Sequence, residues 1–174
     1  MSEILGTLFK YLLALLAITA VVAILYEALS SNKVSTAVSQ ITTLQANINQ
    51  LYAGTGVSTS SGNNGDLTQD IINAKAAPSP MIDGKTLTGP WGGTVTVTVD
   101  STITGAVDLG IPNIPQSACV KIATALLPSM TQITFSAGTA TPVKTSDKSP
   151  TTEIAANCAA GGSSNTVTFT FPVS

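Results

Sequence analysis

Cys119 and Cys158 are the only cysteines in this 174-residue sequence and its clearest candidates for covalent chemistry. The rest of the reactive inventory is thin: seven Lys, nine Asp or Glu, no Arg and no His. Without His there is no Ser-His-Asp or Cys-His arrangement and no usual zinc site, so an enzyme would have to run on carboxylates or Lys. The acidic positions Asp66, Asp70, Asp83, Asp100, Asp108, Asp147 and Glu153 show no metal-ligand grouping. Asp66 and Asp70, four residues apart, fit the solvated start of a helix better than a site. Gly54-Thr55-Gly56 is too short to cradle a phosphate. Trp91, followed by two glycines, is expected to plug a turn, with a surface anchor for a ligand as the other reading. A net charge of −2 leaves no basic face to neutralise phosphates, which excludes nucleic acid as a partner. No catalytic residue, metal or cofactor is expected.

The elements that carry these residues fall into two unlike parts. The 16 residues from Tyr11 to Tyr26 hold no charge and only one polar hydroxyl besides their tyrosines, that of Thr19. As a helix they rise roughly 24 Å, and the stretch from Ile4 to Leu29 is long enough to span a ~30 Å hydrocarbon core if Lys10 snorkels. A cleaved signal peptide is the competing reading. Against it, the helical pattern continues, with Val34, Val38, Ile41, Leu44, Ile48 and Leu51 at gaps of three and four. With no Pro before Pro78 and only Gly6 before Gly54, one helix is expected from about Ser2 to Ala53, roughly 80 Å long. Its first half is apolar all round and its second half needs a partner along one stripe only.

From Gly54 the composition turns to Gly, Ser, Asn and Thr, a loop as far as Gly65. Asp66 and Gln69 resemble a capping box opening a short helix over Leu67, Ile71 and Ile72, closed by Pro78. Strict alternation in Thr94 to Asp100 and in Thr166 to Phe171 predicts two half-buried strands, with a third at Gln132 to Ser136. Gln116 to Leu127 reads as a helix stopped by Pro128. The expected fold is therefore α+β: a hydrophobic N-terminal helix (1–29), its amphipathic continuation (30–53) and a head (54–174) built on a small antiparallel sheet with short helices. The stripe of the long helix is the natural cover for the sheet's apolar face. Two cysteines in a chain that crosses a membrane favour a Cys119–Cys158 disulfide, with two buried thiols as the alternative.

In these features the chain resembles the type IV pilins, and within them the type IVb branch. The similarity covers essentially the whole chain: the apolar helix continuing as an amphipathic spine, Ser31-Asn32-Lys33, Gln40 through Ile48, Trp91-Gly92-Gly93, Ser117 through Ala123 and the late Asn157-Cys158. These match the pattern of thin-pilus pilins of conjugative plasmids and of bundle-forming pilins. The resemblance implies a major pilin that polymerises into an extracellular pilus for adhesion, aggregation or mating-pair contact. A minor pilin or secretion pseudopilin is the near alternative, and a monomeric membrane-anchored binding domain the distant one.

The implied partners are further copies of the chain, the inner membrane before assembly, a pilus assembly machine and a prepilin peptidase that trims a leader and methylates the new N-terminus, here Met1. The family's assembly glutamate stands fifth, whereas this sequence offers Glu3. Either Glu3 does that work from a shifted start, pairing with Lys10 or the Met1 amine of another copy, or Gly6 marks a cleavage point before Thr7; the first account is adopted. Leu12, Leu13, Leu15, Leu16, Ile18, Val21, Val22, Ile24 and Leu25 would form the filament core. An ionised Glu3 buried among them would need such an amine.

Mean hydropathy of +0.38 with only 9% charged residues suits neither an ordinary globule nor a membrane protein throughout. Residues 54–174 carry 12 charged side chains but 34 Ser or Thr. Polarity carried by hydroxyls suits a surface packed against identical copies, where like charges would repel.

Overall fold

The structure is a computed structural model that describes residues 31–138 and 141–173. The positions Met1, Glu3, Lys10, Leu12, Leu13, Leu15, Leu16, Ile18, Val21, Val22, Ile24 and Leu25 lie outside the described residues. Among the described residues no helix is long and apolar enough to cross a membrane. Val34–Ser174 forms one compact unit.

Helix α1 covers residues 31–51. It buries Ala37, Ile41, Leu44 and Ile48, spaced four, three and four, with Val34 and Val38 half-buried beside them. That is the expected stripe with one correction: Leu51 is 40% exposed. The helix ends at that residue, and the chain turns on Tyr52, whose carbonyl accepts the amides of Thr55 and Gly56. The half-buried Tyr52 packs against the core while Leu51 points out. Two side chains fasten α1 to the head: Gln45 Nε2 donates to the Ser129 carbonyl at 3.3 Å, and Asn47 Nδ2 to that of Ala76 at 2.6 Å.

A loop leads to α2 (Thr68–Asn73). Asp66 serves its N-terminus, Oδ1 accepting the Thr68 amide at 2.9 Å, but the capping box does not close. Leu67 occupies the N-cap, and Gln69 instead donates to the Lys85 carbonyl. Nor is Pro78 the terminator. The helix stops at Asn73 because Lys75 turns left-handed (φ 55°), so that its amide reaches Ile72 and that of Ala76 reaches Ile71, a Schellman motif without glycine.

The sheet has six antiparallel strands in the order β1-β2-β3-β4-β6-β5. They are β1 (Ile82–Asp83), β2 (Thr86–Thr88), β3 (Thr94–Val99), β4 (Ala106–Ile114), β5 (Gln132–Phe135) and β6 (Asn165–Pro172). The three strands expected from alternation are present as β3, β5 and β6. The strand that joins β3 to β6, β4, was not anticipated. Register places Val97, Leu109, Phe169 and Ile133 in one row across four strands, with Val99, Val107 and Phe171 next to them. These residues and the α1 stripe belong to a single buried cluster, so the spine helix does cover the sheet's apolar face.

The opposite face carries two polar rows, Thr96-Gly110-Thr168-Thr134 and Thr98-Asp108-Thr170-Gln132. Gly110 leaves room there for Thr96: a β-carbon on it would lie 2.6 Å from Thr96 Oγ1 and force that side chain to shift. Two helices complete the head, α3 (Gln116–Leu126), followed by a 3-10 turn containing Pro128, and α4 (Pro150–Ala160). Both open next to or on a proline, where a missing amide costs nothing.

Candidate functional site

The two cysteines come together across the helix pair. Cys119 lies on the buried side of α3 and Cys158 on that of α4, and they form a disulfide with a Cα–Cα distance of 5.9 Å. The bond closes a loop of 39 residues, which the chain-entropy account values at about 4 kcal/mol. Its location matters as much as its magnitude. Among its described residues, the stretch from Ser136 to Ser164 contains α4 but no strand; its tie to the sheet includes Val143, whose amide and carbonyl both pair with Ile133 at the edge of β5. The disulfide anchors this long excursion at its far end, immediately before β6 enters the sheet.

The carboxylates do not converge on a metal site: among the described residues no group of three or more His, Cys, Asp or Glu could hold an ion. Asp66 serves the start of α2, as described, and Asp70 lies near Tyr52. Burial, with the Asp70 charge added, holds the Tyr52 hydroxyl above its ordinary value. Trp91 is neither a sealed plug nor a free platform. It is half-buried, packed on the core at the β2–β3 turn. The turn closes over a bulge in β4: at Gly93 (φ 81°) a β-carbon would sit 2.8 Å from the Pro112 ring.

One pair of residues escaped the sequence reading. Asp100, at the end of β3, is 7% exposed, and its Oδ1 accepts hydrogen bonds from the Ile103 amide at 2.8 Å, the Thr102 hydroxyl at 2.6 Å and the Thr102 amide. Asp108, in the polar row of β4, takes the Thr170 hydroxyl at 2.6 Å, and burial first, with the Asp100 charge adding to it, raises its carboxyl above the ordinary value. The signal was the alternation of Val107, Leu109 and Ile111, which would have set Asp108 on the open face.

Among the described residues, the outward side of α1 is a surface suited to contact with another copy. From Val34 to Leu51 it carries no charged residue; its exposed positions include Ser35, Ser39, Thr42, Thr43, Ala46 and Gln50. Thr42 and Thr43 donate their hydroxyls to the carbonyls of Val38 and Ser39, each at 2.8 Å. Those hydroxyls are satisfied within the helix, so covering them would leave no unpaired donor.

A family model described as PilS N terminal matches residues 31–172. Among solved structures, the crystal structure of a type IVb pilin from Salmonella typhi aligns with a TM-score of 0.60 at 24% identity, covering 79% of this chain and 99% of that one. TcpA, a type IV pilin from Vibrio cholerae El Tor biotype, aligns with a TM-score of 0.60 at 14% identity, over 80% of this chain and 98% of that one. No curated protein sequence matches. At these identities the structural likeness speaks to the fold, and the family match speaks to kinship.

Proposed function

The chain belongs to the PilS N-terminal family of type IV pilins, a family of structural subunits and not of enzymes, and from that premise we propose that it is the major subunit of a type IVb pilus. In this reading copies of the chain polymerise into a cell-surface filament that serves adhesion, aggregation or mating-pair contact. Before assembly the apolar segment within residues 1–29 resides in the inner membrane; afterwards it forms the filament core. A prepilin peptidase and an assembly machine act on the subunit, Met1 carries the N-terminal methyl group, and Glu3 pairs with Lys10 or the Met1 amine of a neighbour.

The observation that carries this reading is the uncharged outer side of α1, on which Thr42 and Thr43 give their hydroxyls to the helix's own carbonyls. A helix that only had to hold a monomeric head to a membrane would gain from charged residues on its exposed face, which favour solubility. Here that face is made of Ser, Thr, Ala and Gln, which lets a second backbone approach without stranding a charge. The hydroxyl-rich composition of the head acts in the same direction.

Substituting Ala46 by Lys tests it. The position is exposed in the subunit, so the head should fold and keep its disulfide, whereas assembly would have to bury or displace a charge. Surface filaments should be lost or sharply reduced in cells producing Ala46→Lys. Full piliation by that variant would contradict a polymer built around this helix.

A further inference from the structure

Asn64 is the only asparagine in the chain that is followed by glycine. The pairing has a chemistry of its own: the amide nitrogen of the next residue can attack the Asn side-chain carbonyl, and a glycine there puts no side chain in the way. Asn64 stands exposed in the α1–α2 loop in a left-handed conformation (φ 55°), so its carboxamide is open to the reaction.

The fold intervenes at the nucleophile. Gly65 is buried, and its amide donates to the Ser61 carbonyl at 2.9 Å. An amide held in such a bond must be released before it can lose its proton. The same few residues are stitched to the sheet. The Gly65 carbonyl accepts the Val99 amide at 2.8 Å, Leu67 donates to the Val97 carbonyl at 2.9 Å, and Asp66 bridges Thr98 in antiparallel fashion. Strand β2 pairs only with Thr94 and Val95 of β3, so this segment closes the edge of β3 from Val97 to Val99.

We propose that Asn64 is a self-modification site gated by that segment: while residues 65–67 sit on β3 the reaction is held off, and when they lift the chain can pass irreversibly into a deamidated form. Once released, the Gly65 nitrogen gives its proton to water and bonds to Asn64 Cγ. The side-chain nitrogen takes up a proton and leaves as ammonia, and a succinimide ring remains. Water opens the ring at either carbonyl, giving aspartate or isoaspartate. Both products place a negative charge beside Asp66. Isoaspartate also routes the main chain through the side-chain carbons, lengthening it immediately before the residue whose amide and carbonyl hold the segment. Both groups are then misplaced and the edge of β3 is left open, a pairing hazard for any sheet. The mark records openings of the head whatever the chain assembles into.

Peptide mass spectrometry of the full chain in detergent micelles, aged in mildly alkaline buffer with and without enough urea to unfold the head, tests the site and its gate. Asn64 should deamidate in urea and do so at least about tenfold more slowly without it. That slowing should match, within about threefold, the hydrogen-exchange protection of the Gly65 amide, because one opening exposes both. Folded chains carrying isoaspartate should lose protection at the Val99 amide. Asn64→Gln, whose longer side chain closes the ring poorly, should stay unmodified and keep it. An unreacted Asn64 in urea would overturn the site. Equal rates with and without urea, or a slowing unrelated to Gly65 protection, would overturn the gate, and undiminished Val99 protection in the isoaspartate form would overturn its consequence for β3.

Discussion

Thr170 Oγ1 donates a 2.6 Å hydrogen bond to Asp108 Oδ1 and so ties β6 to β4 on the face of the sheet that α1 does not cover. Thr170 is itself buried, at 1% exposure, so its hydroxyl has no solvent to turn to. Replacing Thr170 by Val keeps the shape and removes the donor. We expect a loss of roughly 1–3 kcal/mol, the penalty of stranding an acceptor on a partly buried acid. Urea denaturation of the full chain in detergent, followed by circular dichroism, reads it; an unchanged midpoint would mean that water replaces the hydroxyl.

The pH dependence of stability follows from the same acids. Asp108 is raised in the folded state, so its contribution is complete below its ordinary value of 3.8 and disappears as pH climbs through its folded value. Asp100 is lowered, so its contribution is present above 3.8 and is lost as pH falls through its folded value. The pair therefore stabilises the head most in mild acid and less on either side. Thermal melts of wild type and Asp108→Asn across the acid-to-neutral range should converge in mild acid and separate toward neutrality, the variant being the more stable there.

Breaking the disulfide should be costly. Cys119→Ser with Cys158→Ser releases the loop of 39 residues and leaves two hydroxyls in the core, so a loss of about 4 kcal/mol or more is expected. Non-reducing gels of the wild-type chain should run faster than reducing gels, and two titratable thiols in unreduced protein would contradict the bond.

Glu3 lies outside the described residues, and its proposed role is tested by piliation. Glu3→Ala should reduce or abolish filaments while the head still folds and forms its disulfide. Wild-type filament numbers in that variant would remove Glu3 from the assembly account and leave the fold untouched.

How far the sequence announces this structure depends on what holds each element. Strands β3 and β6 are plain in TVTVTV and TVTFTF because one face of each is buried, and alternation is the direct imprint of that burial. Strand β4 carries the same imprint in Val107, Leu109 and Ile111, but Gly110, Pro112 and Asn113 interrupt it. Those residues serve a close approach to Thr96 and a bulge, needs that only the neighbouring strands reveal. Helix α4 shows a weak apolar stripe, burying only Ile154, Asn157 and Cys158. A covalent bond does there what a hydrophobic face does for α1, so periodicity had little to report. The end of α2 at Lys75 was hidden for a similar reason, since a left-handed residue other than glycine leaves no compositional mark. Asp100 and Asp108 are eight positions apart in sequence and come to adjoining places on the β3–β4 pair only through strand register.

The central claim is that this chain is the principal building block of a filament, and filaments sheared from producing cells test it most directly. Electron microscopy of that material, with mass spectrometry of its protein and labelling by antibody against the head, should find long pili composed overwhelmingly of this chain and absent from a deletion strain. Pili that persist in the deletion strain, or that contain the chain only in trace amounts, would contradict the claim and make it a minor component of a filament built from something else.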